Sequence, residues 1–312
     1  MQQQLRQQLR QQLRRRGMWR RRLRRLRGMI NENEILVLPL IGPGFRRPIA
    51  DWILSSPPEI NCVEVTAEHF FDDRHLVSLS ELAGLYPLSV HGLGLSLGTP
   101  GPLDEDHLAS FLRVVRTADP DWISEHVAFT RTDEVDLGHL NPLACTGDVL
   151  KTLVAHASEL SDRSEKPLLL ENITSFLSLP GEMPETEFLN RLCDDAGCGL
   201  LLDVTNLLVN SRNHQFDPLE WLREIEPGHI RQLHAVGYTE DGGVWRDRHA
   251  EPIQEDLFEL IEEVVRYAPV QSIIVERDAN FPEVEELAWE LTTLERICES
   301  ARSHPAAGTI AE

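Results

Sequence analysis

The chain has 312 residues, 41% of them apolar and 26% charged, the balance of a globular protein long enough to bury a sizeable core. Its net charge of −21 is unevenly spread: residues 1–28 hold 11 of the 30 lysines and arginines and no acid, which leaves 19 basic against 51 acidic residues. A body that acidic repels phosphate backbones and anionic lipid, so nucleic-acid and membrane-surface roles are disfavoured.

The head, MQQQLRQQLRQQLRRRGMWRRRLRRLRG, is low in complexity and lacks the apolar stretch of a signal peptide. It is expected to be a disordered extension or an upstream mis-start, with one domain over residues 29–304 and a flexible tail over 305–312. Five cysteines without CxxC spacing fit a reducing, cytoplasmic compartment. No apolar run approaches a membrane span.

Residues 35–40 (ILVLPL) read as a first strand, closed by a Gly42-Pro43-Gly44 turn, with a helix over 48–55. A second strand over 62–66 ends at Glu68-His69, and a helix follows over 75–85. The third strand, 88–91, runs into a glycine-rich loop over 92–98. That loop has neither the lysine of a phosphate loop nor a dinucleotide spacing, so its glycines serve a tight turn beside His91. Residues 104–117 have helical spacing, with Leu108, Phe111, Leu112 and Val115 on one face. Strand four is 122–126, a loop passes Asn141-Pro142, and a helix covers 148–160. Strand five is 168–172; the helix over 184–196 ends at Gly197, where a left-handed cap is favoured. Strand six is 200–203, and Asp217-Pro218 opens a short helix over 218–225. Strand seven is 230–236, followed by a helix over 254–267, strand eight over 272–276 and a last helix over 283–301.

Eight short apolar strands alternating with helices imply right-handed parallel units. Their number points to an α/β fold of the (β/α)₈ barrel class, with a doubly wound open sheet as the competitor. Strand ends in such a barrel converge on one mouth. Here they carry Glu68/His69, His91, Glu125/His126, Glu171/Asn172, Asp203/Asn206, His234 and Glu276, and an extended Asp247-Arg248-His249 segment adds two side chains on one side. So many buried charges are costly unless paired or metal-bound. Imidazole and carboxylate suit zinc, iron or manganese, and their number exceeds what one ion needs. His75, His107, His139, His156, His229 and His304 are read as surface or loop residues.

The stretches PLSVHGLGLSLGTPGPL, WISEHVAF, LLLENITSF, GCGLLLDVTNLLVNSRNHQFDP, IRQLHAVG and IIVERD together resemble the multinuclear non-haem iron-dependent oxidative enzymes, long catalogued as a domain of unknown function. The resemblance covers roughly residues 35–294. It implies a xylose-isomerase-like TIM barrel with two or three iron ions of mixed Fe(II)/Fe(III) state and O₂ as co-substrate. It also implies a ribosomally made precursor peptide as substrate, often modified at cysteine, and a partner protein that recruits it. Carried over motif by motif, His91, His126 and Glu171 are implied ligands of one ion. Glu171 would bridge to a second, held also by Asp203, His234 and Glu276. Asn206, Asp247 and His249 would hold a third. The related trinuclear-zinc apurinic endonucleases carry His at the Asn206 position. Glu125, Glu68 and Asp278 are expected to orient ligands or move protons. His69, Asn172, His214 and Tyr238 are candidates for contact with substrate or ligands; His69 and Tyr238 depart from the family pattern, which often has Asn and His there.

Three other readings compete. A sugar isomerase or epimerase on the same barrel needs one divalent ion and no oxygen. A DNA-repair endonuclease is disfavoured by the acidic body. A non-catalytic metal-binding partner protein would be expected to have a broken ligand set, whereas all nine ligand candidates are present.

Overall fold

The computed structural model describes residues 38–132 and 135–303. The basic head, the tail over 305–312, His304 and the first part of the expected strand over 35–40 lie outside the described residues. Eight parallel strands form one sheet: β1 (Leu40–Pro43), β2 (Val63–Thr66), β3 (Leu88–His91), β4 (Trp122–His126), β7 (Leu168–Glu171), β8 (Gly199–Asp203), β9 (Ile230–Ala235) and β12 (Ser272–Val275). Their spatial order is β1-β12-β9-β8-β7-β4-β3-β2. A parallel bridge between Gly44 and Glu64 joins the two ends, with Phe45 N–H donating to the Glu64 carbonyl at 2.7 Å. The result is the (β/α)₈ barrel that the alternation implies.

The segment Gly42-Pro43-Gly44 corrects the expectation of a turn, because β1 runs through it. The reason is closure. A Cβ on Gly42 would lie 1.8 Å from the Cys62 carbonyl oxygen, so only glycine lets β1 approach the start of β2. Proline is tolerated because β1 meets β2 at a single bridge rather than along a full ladder.

The helices lie outside the sheet and bury the stripes that their spacing shows. In Glu105–Ala118, Leu108, Phe111, Leu112 and Val115 are buried and the Asp104 carboxylate caps His107 N–H at 3.0 Å. Gly197 ends Glu185–Ala196 with φ +63°, as a left-handed cap should.

Three elements were not read from the sequence. A hairpin, β5 (Phe129–Arg131) with β6 (Asp136–Asn141), follows β4 where a loop was expected. A second, β10 (Gly237–Asp241) with β11 (Val244–Glu251), follows β9 and carries Asp247 and His249. Residues Val204–His214 form a helix directly after β8. His156 is also a correction: it is buried, with Nδ1 2.8 Å from the Leu97 carbonyl and Nε2 2.7 Å from that of Gly101, and so ties the glycine-rich loop to helix Gly147–Ser164. Among the described residues, no helix is long and apolar enough to cross a membrane.

Candidate metal centre

The barrel interior mixes apolar side chains (Leu169, Leu201, Ile274) with a connected polar set. Gln232 of β9 donates to Glu64 of β2 at 2.5 Å although these strands are not neighbours, so the bond crosses the interior. Ser89 also donates to Glu64 at 2.9 Å, and Ser272 and Trp122 donate to the Gln232 amide oxygen at 3.2 and 2.5 Å. Side chains two residues further along a strand stand on the same face. Ser89 is therefore followed by His91, Ser124 by His126, and Gln232 by His234, one layer nearer the mouth.

In that upper layer the ligand atoms cluster. His91 Nε2 and His126 Nε2 each lie 3.4 Å from Glu171 Oε2. His234 Nδ1 lies 3.2 Å from Glu171 Oε1 and 3.0 Å from Glu276 Oε2. His249 Nε2 lies 3.2 Å from Asp247 Oδ2, and its Nδ1 3.5 Å from Glu276 Oε2 and 3.6 Å from Asp278 Oδ2. Four groups have donor atoms within 4.8 Å of one another: His91/His126/Glu171, Glu171/Asp203/His234/Glu276, Asp203/Asp247/His249 and His249/Glu276/Asp278. They interlock, since Glu171, Asp203, Glu276 and His249 each belong to two.

The donor set fits metal ions on an observation independent of the resemblance. Buried atoms His91 Nε2, Glu171 Oε2, Asp203 Oδ2, Asp247 Oδ2 and His249 Nδ1 face the cluster without a hydrogen-bond partner. Orphaned polar atoms at this density are expensive, and cations would satisfy them together. The electrostatics agree. Burial, with the Asp247 and Glu171 carboxylates nearby, pushes Asp203 well above the usual carboxylate range. Burial would also raise Glu171, but His234 and His126 draw it down to about 2. Burial would lower His126, yet Glu171 and Glu125 lift it to about 9.

Three of the four rings, His249 excepted, have one nitrogen fixed from behind, so the other faces the cluster. His91 Nδ1 meets Ser124 Oγ at 2.9 Å, His126 Nδ1 lies 3.4 Å from Glu125 Oε1, and His234 Nε2 meets Glu64 Oε1 at 2.7 Å. Asp203 is fixed by secondary structure. Its Oδ1 caps the helix Val204–His214 by accepting from Asn206 N–H at 2.7 Å, which leaves Oδ2 for the mouth. Arg46 donates to Glu276 Oε1 at 2.9 Å and to Asp278 Oδ1 at 2.5 Å.

The match to known proteins is decisive for kinship. Residues 40–299 match the family model described as RiPP precursor modification enzyme MbnB/TglH/ChrH, RiPP denoting a ribosomally synthesised, post-translationally modified peptide. The chain belongs to this family. The UPF0276 protein of Chromobacterium violaceum is 36% identical over 267 residues, 85% of this chain and 97% of that protein. The UPF0276 protein of Caulobacter vibrioides NA1000 is 31% identical over 255 residues, 80% and 91% of the two chains. Among solved structures, endonuclease IV from Thermus thermophilus superposes with a TM-score of 0.53 at 15% identity, covering 84% of this chain and 100% of that one. D-psicose 3-epimerase from Clostridium cellulolyticum H10 does so with a TM-score of 0.51 at 12% identity, covering 85% and 97%. These likenesses establish a xylose-isomerase-like TIM barrel for this family member.

Against that kinship, some expected site residues fall at the mouth and others do not. His91, His126, Glu171, Asp203, His234, Asp247, His249 and Glu276 come together. Asn206 adjoins them, its amide nitrogen turned to the Asn172 carbonyl at 3.1 Å, leaving the amide oxygen as a donor for metal. Glu125 sits behind His126, with Oε2 buried and without a partner. Asp278 stands half-exposed at the rim, and exposed His69 lies near it and Arg46. Glu68 is engaged elsewhere: it accepts from Leu93 and Gly94 N–H at 2.9 and 3.0 Å and pairs with His107 at 3.1 Å, holding the glycine-rich loop. Asn172 bonds both ways with the Asp203 backbone, at 2.8 and 3.0 Å. Tyr238 gives its hydroxyl to Asp256 and its ring to Trp245 and Arg212, so it braces the hairpin. His214 Nε2 meets the Ser175 carbonyl at 2.6 Å.

Glu64 and Arg46 were missed. A carboxylate in the middle of the apolar run CVEVT was the available signal for Glu64, since such a group must be paired. Glu64 accepts the proton on His234 Nε2, which would leave the Nδ1 lone pair for a cation held between Glu171 and Glu276. In Glu64→Gln an amide facing Nε2 moves that proton to Nδ1. Metal affinity is expected to fall about 10–100-fold in a chelator-competition titration, with the fold retained.

Proposed function

We propose that this member of the family is an iron-dependent, O₂-using oxidative enzyme acting on a ribosomally made precursor peptide, at cysteine residues, in the cytoplasm, with a partner protein delivering the peptide. The observation that carries the reading is the sharing of Glu171, Asp203 and Glu276 between adjoining ligand groups, which suits two or three ions rather than one. Iron bound there would supply oxygen activation and accept electrons from the substrate. His91, His126 and Glu171 would hold one ion. Glu171, Asp203, His234 and Glu276 would hold a second. Asn206, Asp247 and His249 would hold a third. A substrate cysteine thiolate is a soft ligand that suits iron at an open position.

The remaining side chains bind, orient and handle protons. Burial raises the pKa of Glu125, so its Oε2 is suited to keep a proton and hand it on beside His126. Asp278, gripped by Arg46 and facing His249, is a candidate for proton exchange with solvent at the rim. Glu68 acts on the loop beside His91, and His69 offers an imidazole to an incoming peptide.

The test is anaerobic purification, metal analysis, and oxygen uptake with the peptide encoded beside the gene. Two or three irons per chain, peptide-dependent oxygen consumption and a mass change on the peptide are expected. A single magnesium or manganese with sugar turnover would sink the proposal.

A further inference from the structure

The loop after β7, residues 172–184, begins at Asn172, next to the carboxylate shared by two ligand groups. Its middle presents Phe176, Leu177 and Leu179 at 57%, 63% and 40% exposure. Three large apolar side chains in so short a span of surface mark a contact site. Beside them lies a groove of about 240 Å³ whose walls include Val127, Leu143, Ile173, Leu177, Leu179 and Phe216, and which reaches Asn172.

Several polar groups in the wall are already used, though Glu185, Ser178 and Cys145 also line it. Asn210 donates to the Ile173 carbonyl at 2.9 Å and accepts from Ser175 N–H at 3.0 Å. His214, one helical turn on, meets the Ser175 carbonyl, and the Asn172 amide is spent on the Asp203 backbone. Asn210 and His214 thus pin the loop to the helix Val204–His214 and form the groove in advance. The volume is below that of a typical small-molecule pocket and suits one or two side chains.

We propose that this groove seats an apolar side chain of the precursor peptide, close in sequence to the residue that is modified, with Leu177 at its entrance setting that preference. The inference rests on the peptide-modifying reading above. The occupant follows from adjacency: the groove's lining includes Asn172, the residue after the ligand Glu171, so a peptide held at the ligand cluster has this groove beside it.

The test uses metal-loaded enzyme under anaerobic conditions and labelled synthetic copies of the peptide encoded beside the gene, with the neighbours of each cysteine set to Leu, Phe, Ala or Asp. Leu- or Phe-flanked peptides are expected to bind about tenfold more tightly than Asp-flanked ones. Leu177→Asp, at an exposed side chain, is expected to erase that preference and, once oxygen is admitted, to raise KM about tenfold with metal content unchanged. Val77→Asp, 69% exposed on the helix Leu76–Leu85, is the control and keeps the preference. An unchanged preference in Leu177→Asp overturns the proposal. So does a variant that keeps the preference but loses self-association or binding of a recruiting protein, since another occupant then owns the surface. If the unaltered enzyme turns over no peptide after oxygen is admitted, the peptide-modifying reading fails and the groove assignment with it. Turnover with an unaffected Leu177→Asp defeats the groove assignment alone.

Discussion

Glu171→Gln is expected to strip the protein of most of its metal and reduce turnover to background. Glu171 Oε2 faces His91 and His126 while Oε1 faces His234, so one neutralised carboxylate damages two adjoining groups at once. Gln keeps the volume, which separates lost ligation from lost packing. Glu171→Ala goes further. In metal-free protein it leaves three buried rings short of a counter-charge, a change that costs about 3–5 kcal/mol when a buried pair is broken. Metal analysis and urea unfolding check the pair of variants. Full metal content in Glu171→Gln would remove Glu171 from the ligand map.

Arg46→Met is the second large effect. Arg46 is 9% exposed, and its guanidinium grips Glu276, which is buried, and Asp278, which is not. Its loss removes one charged hydrogen bond from Glu276, which keeps His234 and His249, so metal-free protein is expected to lose about 1.5–3 kcal/mol, mostly through Glu276, because solvent screens the exposed Asp278 arm. Metal-loaded protein is expected to lose less, since a bound cation takes over the neutralisation. Arg46→Lys keeps the charge but not the fork that reaches two carboxylates, and is expected to fall between. Unfolding curves with and without metal read the difference. Equal losses in both states would show that Arg46 serves packing and not the charge balance of the centre.

How much of this was legible depended on whether a residue's role was local. Parallel strands buried on both faces announce themselves as apolar runs, and a polar residue ending such a run points to the mouth; His91, His126, Glu171 and Asp203 were visible on that basis. Gly42-Pro43-Gly44 reads locally as a turn, and only the closing of β1 onto β2 shows why glycine is needed in a strand. Helix Val204–His214 was hidden because it starts directly at the end of β8 with no turn residues between, although Asp203 held the N-cap position in plain view. Both hairpins were missed for want of a clean alternation. Glu64 and Arg46 act across the barrel, on His234 and Glu276 far along the chain, and no window of sequence joins them.

The hairpin β10–β11 has a consequence for how the centre fills. Barrel strands and their immediate ends supply the first two ligand groups, but Asp247 and His249 ride on a ribbon. At its far end the ribbon is held by Asn213, whose amide bonds Trp245 N–H at 3.0 Å and its carbonyl at 2.8 Å. At its near end His249 takes a left-handed backbone, φ +49°, and its carbonyl accepts from Asp278 and Ala279 N–H at 2.7 and 3.1 Å. A cation at Asp247 and His249 would therefore latch ribbon to barrel, so that its occupancy and the ribbon's posture form one linked equilibrium. Whatever moves the ribbon would tune that ion by the same factor by which the ion steadies the ribbon, and Asp203 and Glu276, shared with the barrel groups, would pass part of that change on.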